Sequence, residues 1–134
     1  MAAMVVKTGM AIIAAALKYT TGTQISPTYC GFGTSATAEA NTQTDLVAAA
    51  ANEARTNGTS SIQTTTNTND TFQVVAQIAC ATAGKTIQEV ALFDAAGTGT
   101  PASGGVMLCR AVHGAQTLAV GDSIEYTIGV KQAG

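Results

Sequence analysis

Charged residues are scarce in this chain, and tryptophan is absent. Only 10% of the 134 residues are Asp, Glu, Lys or Arg, and the formal net charge is −2. Proteins that bind duplex nucleic acid need clustered Lys and Arg side chains to displace counterions from the phosphates. The 6 basic residues of this chain therefore argue against a nucleic-acid partner.

Long hydrophobic runs are also missing. The apolar run near the N-terminus, Met10 to Leu17, is rich in alanine and is followed directly by Lys18. A helix that spans a bilayer needs about 20 apolar residues, and Lys7 lies too far inside the segment for a secretion leader. We therefore expect no membrane partner, and synthesis in the cytoplasm.

Residues that carry catalysis or bind metals are few and scattered. His113 is the only histidine, and Cys30, Cys80 and Cys109 lie far apart. A Ser-His-Asp arrangement would have to include His113, which is predicted at a strand end, and no G-x-S-x-G segment supplies its serine. Zinc needs grouped Cys and His, and calcium needs a denser acidic cluster. We expect no enzyme, no cofactor and no metal, and we interpret the cysteines as buried free thiols.

The segment Gly84-Lys85-Thr86 matches the end of a phosphate-binding P-loop. The full pattern also needs a glycine five positions before Gly84, where this chain has Ala79, and a helix after the lysine. The residues that follow, Ile87 to Phe93, have the composition of a strand. We therefore predict a turn between two strands rather than a nucleotide site.

Large apolar side chains are few. Leu, Ile, Val and Phe together make up roughly a fifth of the chain, close to the composition at which disorder sets in. Disorder also requires a high net charge, which this chain lacks. We expect a folded domain with a thin core that gains stability by packing against other subunits.

Residues 1–22 are predicted to form an N-terminal helix or arm. Apolar side chains recur at helical spacing within Met4 to Lys18 and fall on one face, and Gly22 follows the end of the segment. Such a narrow stripe suits docking on a sheet or on a neighbouring subunit, so we take it as a candidate interface. Its members are Val6, Met10, Ile13 and Leu17.

Residues 23–134 are predicted to form a single β domain. In the clearest strand, Thr71 to Ala81, alternate residues from Phe72 to Cys80 point to one side. Five or six such segments separated by turn residues are typical of an antiparallel β-sandwich or a partly open barrel. The predicted fold is therefore mainly β with an N-terminal helix or arm. The other predicted strands are Ile25 to Thr34, Ser60 to Thr66, Thr86 to Phe93, Val106 to Val112 and Ser123 to Val130.

Two connections are less regular than the strands. Asp45 to Arg55 contains an alanine run that suits either a helix or an extended connector, and both stay open. Asp94 to Gly105 is rich in Gly, Ala, Thr and Ser, and we predict a long, mobile hairpin loop.

Glu89 and Arg110 each place a charge in an otherwise apolar predicted strand. The two strands are neighbours across the Asp94 to Gly105 hairpin, so the two side chains can form a cross-strand ion pair. Two solvent-facing charges are an equal alternative. Neither arrangement implies catalysis, but a pair can fix the register or an oligomer contact. We therefore add both residues to the candidate interface.

Four segments carry a resemblance to a known group of proteins: Tyr29 to Thr34, Ile87 to Ala95, Leu108 to Val112 and Asp122 to Ile128. They resemble the Y-x-G-F-G-T, I-x-E-x-G-L-F-D-A, L-x-R-A-V and D-x-I-x-Y-T-I strands of small tailed-bacteriophage virion proteins. This chain departs from the pattern at Ala91, where the group has glycine.

The resemblance implies a β-rich structural protein of the virion. Relatives occur as capsid decoration (cement) proteins and as tail-fibre or baseplate components, and the strand pattern does not choose between them. A single short domain without fibre repeats favours decoration. The expected partners are then the major capsid protein and neighbouring copies of this chain, with a trimer preferred because shell junctions are often threefold. The alternative is a tail-fibre or baseplate component involved in host attachment.

Overall fold

A computed structural model describes residues 3–18 and 26–132. Within these ranges the chain forms eight strands and one helix. They are β1 (Met4–Val5), α1 (Lys7–Lys18), β2 (Tyr29–Gly33), β3 (Thr56–Asn57), β4 (Thr59–Gln63), β5 (Thr71–Ala79), β6 (Lys85–Phe93), β7 (Met107–Leu118) and β8 (Ser123–Lys131).

The strands form two antiparallel sheets that share one core. The large sheet has the order β1-β7-β6-β2-β3, and the small sheet has the order β4-β5-β8. Neither sheet closes on itself or on the other. The structure therefore confirms a mainly β fold with an N-terminal helix, and it favours the sandwich over the barrel.

The core lies between the two sheets and follows from the alternation of side chains along each strand. On β5, Val74, Ala76 and Ile78 are buried, whereas Gln77 and Ala79 are exposed. This period of two places every second residue on the inner face, as predicted. The small sheet also contributes Tyr126, Ile128 and Val130, and the large sheet contributes Cys30, Phe32, Val90, Leu92, Cys109 and Ala111.

The large sheet is buried on its outer face as well. The connection 34–55 crosses this face and forms an isolated bridge between Gly33 and Ala49. Val6 packs there against Phe93 and Met107. As a result β6 is buried continuously from Glu89 to Phe93. A strand covered on both faces carries an unbroken apolar run, which explains why strict alternation stops in this segment.

The predicted N-terminal helix begins later than its sequence pattern indicates. Met4 and Val5 form a short strand that pairs with Arg110 and Cys109 of β7, so the helix starts at Lys7. Residues 1–22 were predicted as an element separate from the β domain. In the described part of that segment, β1 extends the large sheet and α1 packs on β7.

Within α1, only Ile13 of the predicted apolar stripe lies on the face that turns towards the core. Gly9 is buried against β7, where a Cβ atom would overlap the carbonyl oxygen of Leu108. This close approach turns Ile12 and Ile13 towards the core, while Met10 and Leu17 point outwards. The apolar spacing missed this orientation because glycine carries no hydrophobic signal. The predicted helix end at Gly22 lies outside the described residues.

Three further predictions need correction. Residues 45–55 form turns and one bridge, so the helical alternative is wrong, and the segment is an irregular connector that is extended only in part. β7 continues through His113 to Leu118 because its second half pairs with Lys85 to Ile87 of β6, so His113 is inside a strand. The loop after β6 joins two neighbouring antiparallel strands, as predicted, but Thr98 and Ser103 form an isolated bridge within it. Ile25, the start of another predicted strand, lies outside the described residues.

Candidate interaction surfaces and the polar clasp

Glu89 and Arg110 form a fully buried ion pair. Arg110 Nε donates a hydrogen bond to Glu89 Oε2 at 2.7 Å, and both side chains are 0% exposed. Arg110 lies opposite Ala91, two residues from Glu89 on the same face of the large sheet. The predicted cross-strand pair is confirmed, and the solvent-facing alternative is wrong. Because neither side chain reaches the surface, we remove both residues from the candidate interface.

The ion pair also holds the connection 34–55 against the sheet. Glu89 Oε1 accepts a hydrogen bond from the amide of Ala48 at 2.7 Å, and Oε2 accepts one from the amide of Val47 at 3.1 Å. Arg110 Nη1 donates to Gln43 Oε1 at 3.1 Å. We call these five residues the polar clasp. A buried carboxylate is tolerated when an opposite charge and several donors surround it, so the clasp explains both the burial of Glu89 and the turn, rather than a helix, at 47–48.

Gly33 leaves the space that the polar clasp occupies. A Cβ atom at this position would overlap the carbonyl oxygen of Ala48 and the carboxylate of Glu89. Any side chain here would push the connection away from the sheet. The glycine is thus required by close packing and not by a special backbone angle.

The Gly84-Lys85-Thr86 segment lies at the start of β6 and shows no helix after the lysine, as predicted. Lys85 Nζ donates to Glu53 Oε1 at 2.9 Å, and the same carboxylate accepts hydrogen bonds from the amides of Ala81 and Thr82. Burial alone would raise the pKa of Glu53, but Lys85 and these amides together lower it to about 2. Lys85 therefore forms an ion pair with the buried Glu53 carboxylate, which lies on the connection before β3.

Arg55 holds the base of the 94–105 loop. Its guanidinium carbon lies 3.4 Å from the centre of the Phe93 ring, and Nη1 donates to the carbonyl oxygens of Ala95 and Gly104 at 3.1 and 2.8 Å. A cation over an aromatic face is attracted by the ring quadrupole. The Arg55 side chain therefore bridges the two ends of the loop. No local sequence signal indicated this contact.

His113 connects the two sheets. Its Nδ1 lies 2.7 Å from the carbonyl oxygen of Gly114, so Nδ1 carries the proton and Nε2 accepts a hydrogen bond from the Tyr126 hydroxyl at 2.8 Å. Tyr126 is 3% exposed, and burial raises the pKa of its hydroxyl above the usual value. The sequence places these residues on separate strands, and only the packing of the sheets brings them together.

The three cysteines are buried free thiols, as predicted. Burial raises the pKa of Cys30 and of Cys109 to about 12. A thiol with so high a pKa holds its proton and is a poor nucleophile at neutral pH. These side chains therefore act as small core residues.

The predicted helical interface residues divide between the core and the surface. Val6 is 0% exposed and lies just before α1, and Ile13 packs partly on the core. Met10 is 56% exposed and Leu17 is 85% exposed. Whether Met10 and Leu17 contact a partner stays a prediction.

Sequence reasoning missed the exposure of four further large apolar side chains, of which Ile62 and Val120 are the most exposed. Ile62 on the edge strand β4 is 66% exposed, and Val120 in the turn between β7 and β8 is 62% exposed. An open apolar groove of about 490 Å³ runs between α1 and the small sheet, with Leu17, Ile62 and Phe72 among its lining residues. For Ile62 the available signal was its isolation between the polar residues Ser61 and Gln63, whereas Val120 follows Leu118 and Ala119 and carried no such signal.

Within residues 3–18 and 26–132, no three His, Cys, Asp or Glu side chains come together in a way that could hold a metal ion. The same part of the chain contains no helix with the length and hydropathy needed to cross a bilayer. Comparison of the chain with models of protein families, with curated proteins and with solved structures finds no significant match.

Proposed function

We propose that this chain is a structural protein of a tailed-phage virion, a decoration (cement) subunit on the capsid surface. In this proposal it binds the major capsid protein and neighbouring copies of itself, with three copies around a shell junction. It is made in the host cytoplasm and acts by adhesion, without catalysis, a cofactor, a nucleic acid or a membrane.

The observation that carries the proposal is the contrast between engaged reactive groups and uncovered apolar ones. Lys85 bonds Glu53, and His113 bonds Tyr126, so the residues weighed for phosphate binding and catalysis serve the fold. Leu17, Ile62 and Val120 are each more than half exposed. Leu17 and Ile62 line the apolar groove. Exposed apolar side chains beside a groove are typical of interaction surfaces, and a subunit that lies on a protein shell can cover them.

The resemblance to virion proteins gains a physical explanation from the polar clasp. Gly33, Glu89 and Arg110 belong to three of the four resembling segments, and they meet at one buried point. In the fourth resembling segment, Asp122 Oδ2 accepts a hydrogen bond from the amide of Ala119 and closes the turn before β8. The shared residues therefore maintain the sandwich, which supports relatedness in fold and is neutral between head and tail.

The proposed action is mechanical. Apolar surface removed from water contributes about 25 cal/mol per Å², and a stable protein interface buries about 1,600 Å². A subunit that binds only the assembled shell stabilises it by mass action, more strongly as the free subunit concentration rises. The thin core of the chain is compatible with this role, because part of its stability then comes from neighbours.

Copy number per particle tests the proposal. Quantitative mass spectrometry of purified virions that carry this chain should give a copy number close to that of the major capsid protein. A count of only a few copies per particle would assign the chain to the tail fibre or baseplate. Absence from purified particles would contradict both assignments.

A further inference from the structure

Two lysines without an ion pair both lie on α1. Lys7 and Lys18 are exposed and, among the described residues, join no salt bridge. The other basic residues are engaged: Arg55, Lys85 and Arg110 pair with carboxylates, and Lys131 donates to the Thr66 hydroxyl. α1 contains no acidic residue, so both of its charged side chains are positive.

The outer face of α1 is apolar between these two charges. Met10 and Leu17 point away from the core, and the alanines between them, Ala11, Ala14 and Ala15, are exposed. A helix that is apolar on its inner and its outer face is characteristic of a helix covered on both sides. In the single chain the outer side of α1 is uncovered.

The turn between β7 and β8 has the complementary character. Asp122 and Glu125 are exposed and join no ion pair within the described part of the chain, and Val120 beside them is 62% exposed. We call residues 120–125 the acidic turn. It combines an apolar side chain with two negative charges, as α1 combines apolar side chains with two positive ones.

These two surfaces lie at opposite ends of the sandwich. α1 packs at the start of β7, where Thr8 Oγ1 donates to the carbonyl oxygen of Met107 at 3.4 Å. The acidic turn follows the end of β7, a strand of 12 residues, and a strand of that length extends roughly 35 Å at 3.3 Å per residue. The two surfaces of one chain therefore cannot meet, but those of two copies can.

We propose that the outer face of α1 in one copy docks on the acidic turn of a second copy. The contact is heterologous, head to tail, and closes into a ring if the rotation between copies permits. The inference rests on the proposed function in so far as decoration subunits meet on a shell, and it names the surfaces through which they meet.

Charge reversal in the purified chain tests this contact. The Lys7→Glu/Lys18→Glu variant should raise the dissociation constant of self-association about tenfold, because two attractions become repulsions. Asp122→Asn/Glu125→Lys should act similarly; asparagine retains the side-chain acceptor that bonds Ala119. The variant with all four changes should recover part of this association, since a negatively charged helix then meets a turn of net positive charge. Sedimentation equilibrium measures all three.

Matched controls separate this contact from general charge effects. Thr59→Lys changes exposed charge on the edge strand β4, outside both surfaces, and should leave association unchanged. Leu17→Ser removes apolar surface without changing charge and should weaken association as well. Circular dichroism checks that each variant is folded. A wild-type chain that stays monomeric at millimolar concentration, reversal variants that associate like wild type, or a fourfold variant that fails to recover would overturn the inference, whatever the particle copy number shows.

Discussion

The two sheets differ in how their faces are used. The large sheet is covered on both faces, by the small sheet on one side and by the connection 34–55 on the other, and it contains the polar clasp. The small sheet is covered only on its inner face, and all five residues of its edge strand β4 are exposed. The fully buried ion pair thus lies in the large sheet, whereas open surface concentrates on the small sheet and on α1.

This difference indicates that the large sheet stabilises the fold, whereas the small sheet and α1 provide the open surface. A sheet with two buried faces can maintain a defined structure although the chain has few large apolar side chains. The remaining surface is then available for contacts with other subunits. Substitutions in the large sheet should therefore reduce the free energy of unfolding, whereas substitutions on the outer face of the small sheet should leave it nearly unchanged.

The largest expected effect is at the polar clasp. Arg110→Met leaves the Glu89 carboxylate buried without its opposite charge, and we expect it to lower the free energy of unfolding by about 3–5 kcal/mol. Urea denaturation measures the change. Gln73→Ala on the small sheet is the control and should change stability by less than about 0.5 kcal/mol. Equal losses for the two variants would contradict the contrast between the sheets.

Gly33→Ala should have the next largest effect, a loss of about 2–3 kcal/mol from overpacking against Ala48 and Glu89. Gly114→Ala is the matched control, since a Cβ atom there meets no other atom within 4 Å and should be nearly neutral. Thermal unfolding of both variants compares them directly. A Gly33→Ala protein as stable as wild type would show that the connection 34–55 is not held close to the sheet.

Acid sensitivity should depend on Glu53. Its pKa in the folded chain is lowered to about 2, below the value of about 4.3 for an unfolded glutamate. The carboxylate therefore stabilises the fold above about pH 4.3, and this contribution is lost as the pH falls towards 2. Glu53→Gln should reduce stability at pH 7 and flatten the decline of stability within this window. Unfolding curves at several pH values test this, and an unchanged acid decline would be the contrary result.

The smallest expected effect is at the bond between the sheets. Tyr126→Phe removes the hydroxyl that bonds His113 and should cost about 1 kcal/mol. His113→Ala should cost little more when Tyr126 is already Phe. A double-mutant cycle measures this coupling, and strictly additive losses would mean that the bond contributes nothing.

Sequence reasoning identified the strands that alternate and missed what depends on distant contacts. β5 and β8 were predicted closely because one face of each meets the core and the other meets solvent. The orientation of α1 could not be predicted, because Gly9 positions the helix without a hydrophobic signal. The alanine run near residue 48 has helical propensity, but its amides are bound by Glu89, which is remote in sequence.

The candidate surfaces were predictable only in part. Met10 and Leu17 were identified by helical spacing as part of a stripe for a sheet or a neighbouring subunit, and both are exposed in the single chain. Ile62 and Val120 had no periodic pattern, and their exposure depends on where the sheets end. The pairing of Glu89 with Arg110 was foreseen from the adjacency of two strands, whereas its burial required the connection 34–55 to fold over it.

Cryo-electron microscopy of virions that carry this chain tests the central claim most directly. The account predicts density for the sandwich at junctions of the outer capsid surface, with α1 or the small sheet against neighbouring subunits and the polar clasp enclosed within each copy. Density confined to the tail tip, or copies that bind the shell through a displaced connection 34–55 with the clasp opened, would contradict it.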